Sequence, residues 1–172
     1  MEEQIQFRRL KPDDLAFMMK LVKDPDTTRY IPCLITDESV MASWIGQLDD
    51  SKNEYIVELK ETGQAIGECS LALMRDAGEI GIMLLPGYWN KGYGTEVIRK
   101  LQQIAETLGL HMLTALTETG NSAMVHILEK LGFQKDAVAC FLEMPEEDEQ
   151  AEPEPQWMTQ YEKMISLPGS GE

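Results

Sequence analysis

The chain has 172 residues, 43% of them hydrophobic and 26% charged, with a formal net charge of −15. That length and apolar content suit one globular domain with its own core and exclude a chain too polar to fold. The acidity excludes a basic nucleic-acid footprint, because no surplus of Lys and Arg is available to displace counterions.

The charge is unevenly placed. Residues 1–142 carry 14 Lys and Arg against 21 Asp and Glu, a net −7, and residues 143–172 carry 1 against 9, a net −8. Such a surface favours encounter with a cationic partner. No apolar run approaches the length of a membrane span, and the start Met1-Glu2-Glu3-Gln4 lacks a basic leader region. Neither a span nor a signal peptide is expected, and the expected location is cytoplasmic. Cys33, Cys69 and Cys140 are scattered and form no C-x-x-C pair. They read as reduced thiols, with no metal site.

In chain order, residues 5–10 alternate as a first strand. Pro12-Asp13-Asp14 then opens a helix carrying Leu15, Phe17, Met18, Leu21 and Val22, which Pro25 ends. Thr36 or Asp37 can cap a second helix, whose buried stripe is Val40, Met41, Trp44, Ile45 and Leu48. Strands over 54–59 and 65–74 flank the turn Glu61-Thr62-Gly63-Gln64. A tight turn at 75–78 leads into a strand over 79–85.

That strand feeds the loop Gly87-Tyr88-Trp89-Asn90-Lys91-Gly92-Tyr93-Gly94, and the loop opens a helix over 94–108. Val97, Ile98, Leu101, Ile104, Ala105 and Leu108 fall on one face of it. A strand, a glycine-bearing loop and a helix N-terminus make an anion site, since unpaired N–H groups and the helix dipole point at the loop. No Gly-Lys-Ser/Thr run follows a phosphate-loop glycine, and Val97 stands where the dinucleotide fingerprint needs its third glycine.

A strand over 111–117, a helix over 121–131 and Gly132-Phe133 follow. Strands over 138–144 and 157–166 flank an acidic, proline-bearing loop at 145–155, and 168–172 are a frayed end. The mix is α+β: a mostly antiparallel meander with one parallel pair made by the crossover through helix 94–108.

The segment 79–133 resembles the GNAT superfamily of N-acetyltransferases, and most closely its Rim-type branch of ribosomal-protein N-terminal acetyltransferases. The resemblance rests on E-I-G-I-M-L-L-P-x-x-W-x-K-G-Y-G-T-E, on Asn121, and on L-E-K-L-G-F at 128–133. The family's pyrophosphate loop, Q/R-x-x-G-x-G/A, reads here Trp89-Asn90-Lys91-Gly92-Tyr93-Gly94. The resemblance implies a central, twisted, mixed sheet with a splayed parallel pair, flanked by about four helices, in one domain over 1–167.

It further implies acetyl-CoA as acyl donor and a primary amine as acceptor, either a small amine or a peptide N-terminus, acted on by a monomer or homodimer. The pyrophosphate is expected on the N–H groups of Asn90, Lys91, Gly92, Tyr93, Gly94 and Thr95. The pantetheine arm is expected along the edge of Met83, Leu84 and Leu85, with Asn121 hydrogen-bonding it. Arg29 and Tyr30, in the linker 28–32, are placed over the acceptor cleft.

A carboxylate acting directly or through water must take the amine's proton. If the turn is at 75–78, Met74 faces Glu79 and Glu68 lies level with Leu85, beside the expected thioester. A bulge would turn Glu68 to the other face. Glu118, past the end of the second parallel strand, is the other reachable acid. Two positions depart from the family: Leu128 stands where a tyrosine general acid is common, and Met124 where the Rim branch has serine. His111 and His126 are not expected to be catalytic.

Overall fold

The computed structural model describes residues 3–31, 34–49, 51–143 and 154–165. Its strands are β1 (Ile5–Arg9), β2 (Asn53–Leu59), β3 (Ala65–Met74), β4 (Ala77–Leu84), β5 (Met112–Glu118), β6 (Gln134–Glu143) and β7 (Glu154–Met164). Its helices are α1 (Leu15–Lys23), α2 (Pro25–Thr28), α3 (Glu38–Gly46), α4 (Tyr93–Thr107) and α5 (Ser122–Lys130). All strands join one sheet in the order β1-β2-β3-β4-β5-β7-β6. β4 and β5 are the parallel pair, as the crossover through α4 requires, and every other neighbour is antiparallel.

The alternation of strand residues divides the core between the two faces of the sheet. Tyr55, Val57, Cys69 and Leu71 pack with Val97, Ile98, Leu101 and Ala105 of α4 and with Leu128 of α5. Ile56 packs on the opposite face with Met18, Leu21 and Val22 of α1 and with Met41 and Ile45 of α3. β1 is tied to both layers. The Glu96 carboxylate in the first turn of α4 accepts the backbone N–H groups of Gln4 and Ile5 at 2.9 and 3.1 Å. The Arg8 guanidinium bridges Asp14 at 2.6 Å and Glu58 at 2.5 Å, two acids about nine-tenths buried.

Several expected boundaries move. Pro12–Asp14 is a separate 3-10 turn, and α1 proper begins at Leu15. Pro25 opens α2 rather than closing α1, because Asp24 caps the new turn by accepting the Thr27 N–H at 2.7 Å. Asp37 is the cap of α3, accepting from Ser39 and Val40. Val40 is 53% exposed and Leu108 48%, so neither belongs to the buried stripe in which its spacing placed it. α3 and α4 turn only a narrow face to the sheet.

The turn between β3 and β4 consists of Arg75 and Asp76 alone, with Arg75 at φ 52°. Met74 therefore faces Ala77 rather than Glu79, and Glu68 faces Met83 rather than Leu85. Gly78 lies inside β4, where a Cβ would come within 2.7 Å of Leu71 Cδ1. Its glycine answers packing, not turning. A bulge does occur, but between Val57 and Glu58 on the β2 side, so it leaves the β3–β4 register regular.

β6 begins at Gln134 and β7 at Glu154, earlier than expected, with Glu143 paired to Glu154. The hairpin thus includes Glu154 and Pro155 in β7, and the acidic segment at 144–153 lies outside the described residues, as do 166–172. Among the described residues no helix is long and apolar enough to cross a membrane.

Candidate active site

The parallel pairing of β4 and β5 runs from Ala77 opposite Met112 to Ile80 opposite Ala115 and stops there. β4 continues to Leu84 on β3, and β5 to Glu118 on β7. The two strands therefore part in mid-sheet, leaving an opening between them.

Backbone direction decides which groups line this opening. Leu85 N–H donates to Ile66 C=O at 3.0 Å. Because antiparallel partners alternate between bonded and non-bonded pairs, Met83 also turns its N–H and C=O toward β3. Ile82 and Leu84 turn theirs the other way, past the last β5 partner. The Leu84 carbonyl is occupied by the Trp89 indole N–H at 2.7 Å. The N–H groups of Ile82 and Leu84 remain as donors along the opening. Of the three residues expected at this edge, Leu84 presents a donor there, while Met83 and Leu85 bond to β3. Ile82 was missed, and only the register reveals it.

The loop beyond β4 turns sharply at two left-handed residues, Asn90 (φ 57°) and Gly92 (φ 87°). Gly92 is the N-cap of α4, and no atom lies within 4 Å of where its Cβ would be. The glycine is therefore required by conformation, and the space in front of it is open. The N–H groups at the start of α4 point into that space, and the helix dipole makes it favourable to an anion. A groove beside it is lined by Lys91, Thr95, Arg99, Lys100 and Lys130, and also by the acids Glu3 and Glu96. Lys91 bonds back to the Gly87 carbonyl at 2.8 Å, and Lys100 pairs with Glu3 at 3.0 Å. Arg99 and Lys130 were not singled out from the sequence. The signal available was Arg99 four residues after Thr95, on the same helix face.

Asn121 is the N-cap of α5, its Oδ1 accepting the Met124 N–H at 3.2 Å. The cap accounts for an asparagine here by itself and leaves the amide NH2 as a donor. Leu128 is fully buried and Met124 packs beside it in the α4 core, so neither family position carries a polar group. Arg29 caps the C-terminus of α2, exposed and 3.3 Å from Asp26, with the half-buried Tyr30 next to it.

Glu68 is 6% exposed. It shares the face of Met83, which packs against the α1–α3 layer. Burial pushes its carboxyl well above the usual carboxylate range, and the charge of Glu54 and a hydrogen bond with that residue push it further. Glu54, on β2, is also raised, chiefly by burial. Glu54 was read only as the start of a strand. Its placement on the face of Glu68 follows from the β2–β3 pairing, in which Ile56 faces Glu68 and Glu54 faces Ser70. Glu118 ends β5 and is partly buried. Both histidines are exposed. Among the described residues no group of three or more His, Cys, Asp or Glu is placed to hold a metal ion.

This geometry can be compared with known proteins. The chain is 27% identical over 146 residues to an uncharacterized N-acetyltransferase, p20, of Bacillus licheniformis, covering 79% of this chain and 82% of that protein. Its fold matches spermidine N-acetyltransferase from Vibrio cholerae, solved in complex with CoA and spermine. That match has a TM-score of 0.74 at 20% identity, over 95% and 97% of the two chains. It also matches ribosomal-protein-alanine N-acetyltransferase from Brucella melitensis, with a TM-score of 0.73 at 16% identity, over 93% and 99%. Such low identities speak for the fold alone. The family model of the acetyltransferase (GNAT) domain matches residues 4–134, most of the chain, so the protein belongs to the GNAT acetyltransferase family, whose general chemistry is acetyl transfer from acetyl-CoA.

Proposed function

We propose that this protein is an N-acetyltransferase that moves an acetyl group from acetyl-CoA to a primary amine by direct attack in a ternary complex. The observation that carries the reading is the opening of β4 from β5 after Ile80 and Ala115, directly upstream of the Gly92-capped helix. The thioester supplies an activated acyl group; everything else is binding, orientation and proton transfer by this chain. The N–H groups of residues 90–95 would hold the pyrophosphate, with Arg99 and Lys130 as nearby counter-charges. The N–H groups of Ile82 and Leu84 would hold the pantetheine arm and polarise the acyl carbonyl, and Asn121 would donate to the arm from the far side. Fixing amine and thioester together removes much of the entropic cost of encounter.

Glu68 is the preferred base and Glu118 the alternative. A buried carboxyl with a raised pKa is a better proton acceptor near neutrality than an ordinary one. Arg29 and Tyr30, at the end of the short helix α2 that lies beside β4, are the proposed acceptor contacts. The net charge of −15 favours a cationic amine, so a polyamine or a basic peptide is the first class to test, in line with the Rim-type resemblance and a cytoplasmic setting.

A second reading is a CoA-binding module without turnover. Its support is the buried Leu128 and the packed Met124, which leave no general acid from α5. A thiol leaves as thiolate with little assistance, so this absence alone does not preclude catalysis. A thiol-release assay with acetyl-CoA and a panel of spermidine, a short peptide with a free α-amine, and a small neutral-flanked amine separates the two. Release above background with any of them supports the enzyme. None, with acetyl-CoA still bound, supports the module.

A further inference from the structure

The Glu54 and Glu68 carboxyls meet on one face of the sheet, from adjacent strands and diagonal to one another in register. Burial and each other's charge disfavour ionising both, which raises both carboxyls above their ordinary range. Glu68 is the inner member, at 6% exposure, and Glu54 the outer, half-buried at the start of β2 and next to Lys52. Two like charges at this separation cannot both be carried, so the pair behaves as one titrating unit.

The other charged groups on this face are already engaged or lie further along it. Glu58 of β2 accepts from Arg8 of β1 and from Gln6, and Arg8 also bridges Asp14. β4 turns Gly81 and Met83 toward this part of the face, with Glu79 one further step along the strand. From the helices, α1 contributes Met18, Leu21 and Val22, and α3 contributes Met41 and Ile45, all apolar. Among the described charged groups on this face, Glu54 is the one that interacts with Glu68.

We propose that Glu54 is the positioning partner of Glu68, holding a shared proton across β2 and β3 and passing the proton taken from the amine outward to solvent. The inference rests on the reading of Glu68 as the base. The resting pair holds one proton, on Glu68, and one negative charge, on Glu54. Passage of that proton from Glu68 to Glu54 frees the Glu68 carboxylate, which takes a proton from the substrate ammonium, giving the free amine and a fully protonated pair. The proton held on Glu54 then leaves to water. The net step moves one proton from ammonium to solvent and restores the pair to its starting charge. Glu54 touches no reacting atom; it acts through Glu68.

The test begins without an acceptor. In the full chain carrying 13C-carboxyl-labelled glutamate, the Glu68 resonance should titrate in two steps that Glu54 shares. In Glu54→Gln it should titrate in one step, at lower pH, because the negative neighbour is gone. Kinetics follow with spermidine as probe, or with the panel peptide if that is the amine turned over. Glu54→Gln should lower kcat about tenfold, less than the roughly 10²–10⁴-fold of a whole general-base term. It should also move the acidic limb of kcat/KM to lower pH, and Glu54→Asp should return the limb toward its original position. A single Glu68 step at the same pH in both proteins overturns the pair. An unmoved acidic limb in Glu54→Gln, with Glu68→Gln inactive, overturns the proton path while leaving Glu68 as the base. Normal turnover in Glu68→Gln overturns the base itself and the proposal with it.

Discussion

Glu68 of β3 and Glu118 of β5 stand on the same face of the sheet, on the two strands that flank β4. Glu68 faces Met83 across the β3–β4 ladder. The parallel register, with Glu79 opposite Thr114, puts Glu118 by alternation on the same face as Glu79 and Met83. In the proposed reaction these two carboxylates are the candidate bases for an amine approaching a thioester in the opening. Environment separates the two: Glu68 is nearly enclosed, and Glu118 is the last residue of its strand.

Glu68→Gln should therefore lower kcat by roughly 10²–10⁴-fold with little change in KM for acetyl-CoA, the loss typical of a general base. Glu118→Gln should have a much smaller effect. Steady-state kinetics of both variants from pH 6 to 9 decides the matter. Turnover retained in the first and lost in the second would give the role to Glu118.

Glu68 also sets a stability trend with pH. Its folded carboxyl titrates above the unfolded one, so the folded state binds the proton more tightly. That contribution is complete below the ordinary carboxylate range and is lost as pH rises through the raised value. Wild-type protein should lose melting temperature across that window, and Glu68→Gln should lose less. Parallel melting curves against pH for the two proteins would remove Glu68 as the source.

The loop residues can be tested by binding. Gly92→Asp and Gly94→Asp should abolish the rise in melting temperature on adding acetyl-CoA, because each places negative charge against the anion site. Gly92→Ala should cost about 1–2 kcal/mol of folding stability from its left-handed backbone. Gly94→Ala should be milder, since its Cβ meets only the flexible tip of Ile127 at 3.2 Å. An unaltered ligand shift in both aspartate variants would place the phosphates elsewhere.

Trp89→Phe removes the indole donor to the Leu84 carbonyl while keeping a ring in place. The loss should destabilise the fold by about 1 kcal/mol. It should also weaken acetyl-CoA binding, because the loop is no longer anchored to the end of β4. Urea unfolding and calorimetric titration read the two effects. Binding unchanged alongside lower stability would confine Trp89 to a structural role.

The acidic stretch 146–154 ends at Glu154, the first residue of β7. Pairing of Glu143 with Glu154 carries the β6–β7 hairpin four residues past Met158, the partner of Glu118, at the end of the sheet where the opening lies. Changing its acids to Gln should weaken use of spermidine at low salt, and salt should erase the difference as the screening length falls below about 8–10 Å. A neutral-flanked amine should be indifferent. Equal effects on both would make the stretch a solubilising segment.

The sequence by itself determined the elements whose signals are local. The apolar stripe of Val97, Ile98, Leu101 and Ala105, a cap at Thr36 or Asp37, and the glycine at 92 each follow from the demands of one turn or one helix face, whereas the capping role of Asn121 came from the structure. The succession of a meander and then strand, helix and strand supplied the parallel pair, through the crossover of helix 94–108. What the tertiary structure alone decided concerns partners far apart in the chain. The two-residue turn at Arg75 and Asp76 set which residue faces Glu68, and the end of pairing at Ile80 set which N–H groups line the opening. The meeting of Glu54 with Glu68 required two strands to align across a hairpin containing a bulge. A ladder register is a collective property of whole strands, so one residue more or fewer in a turn changes every partner along them.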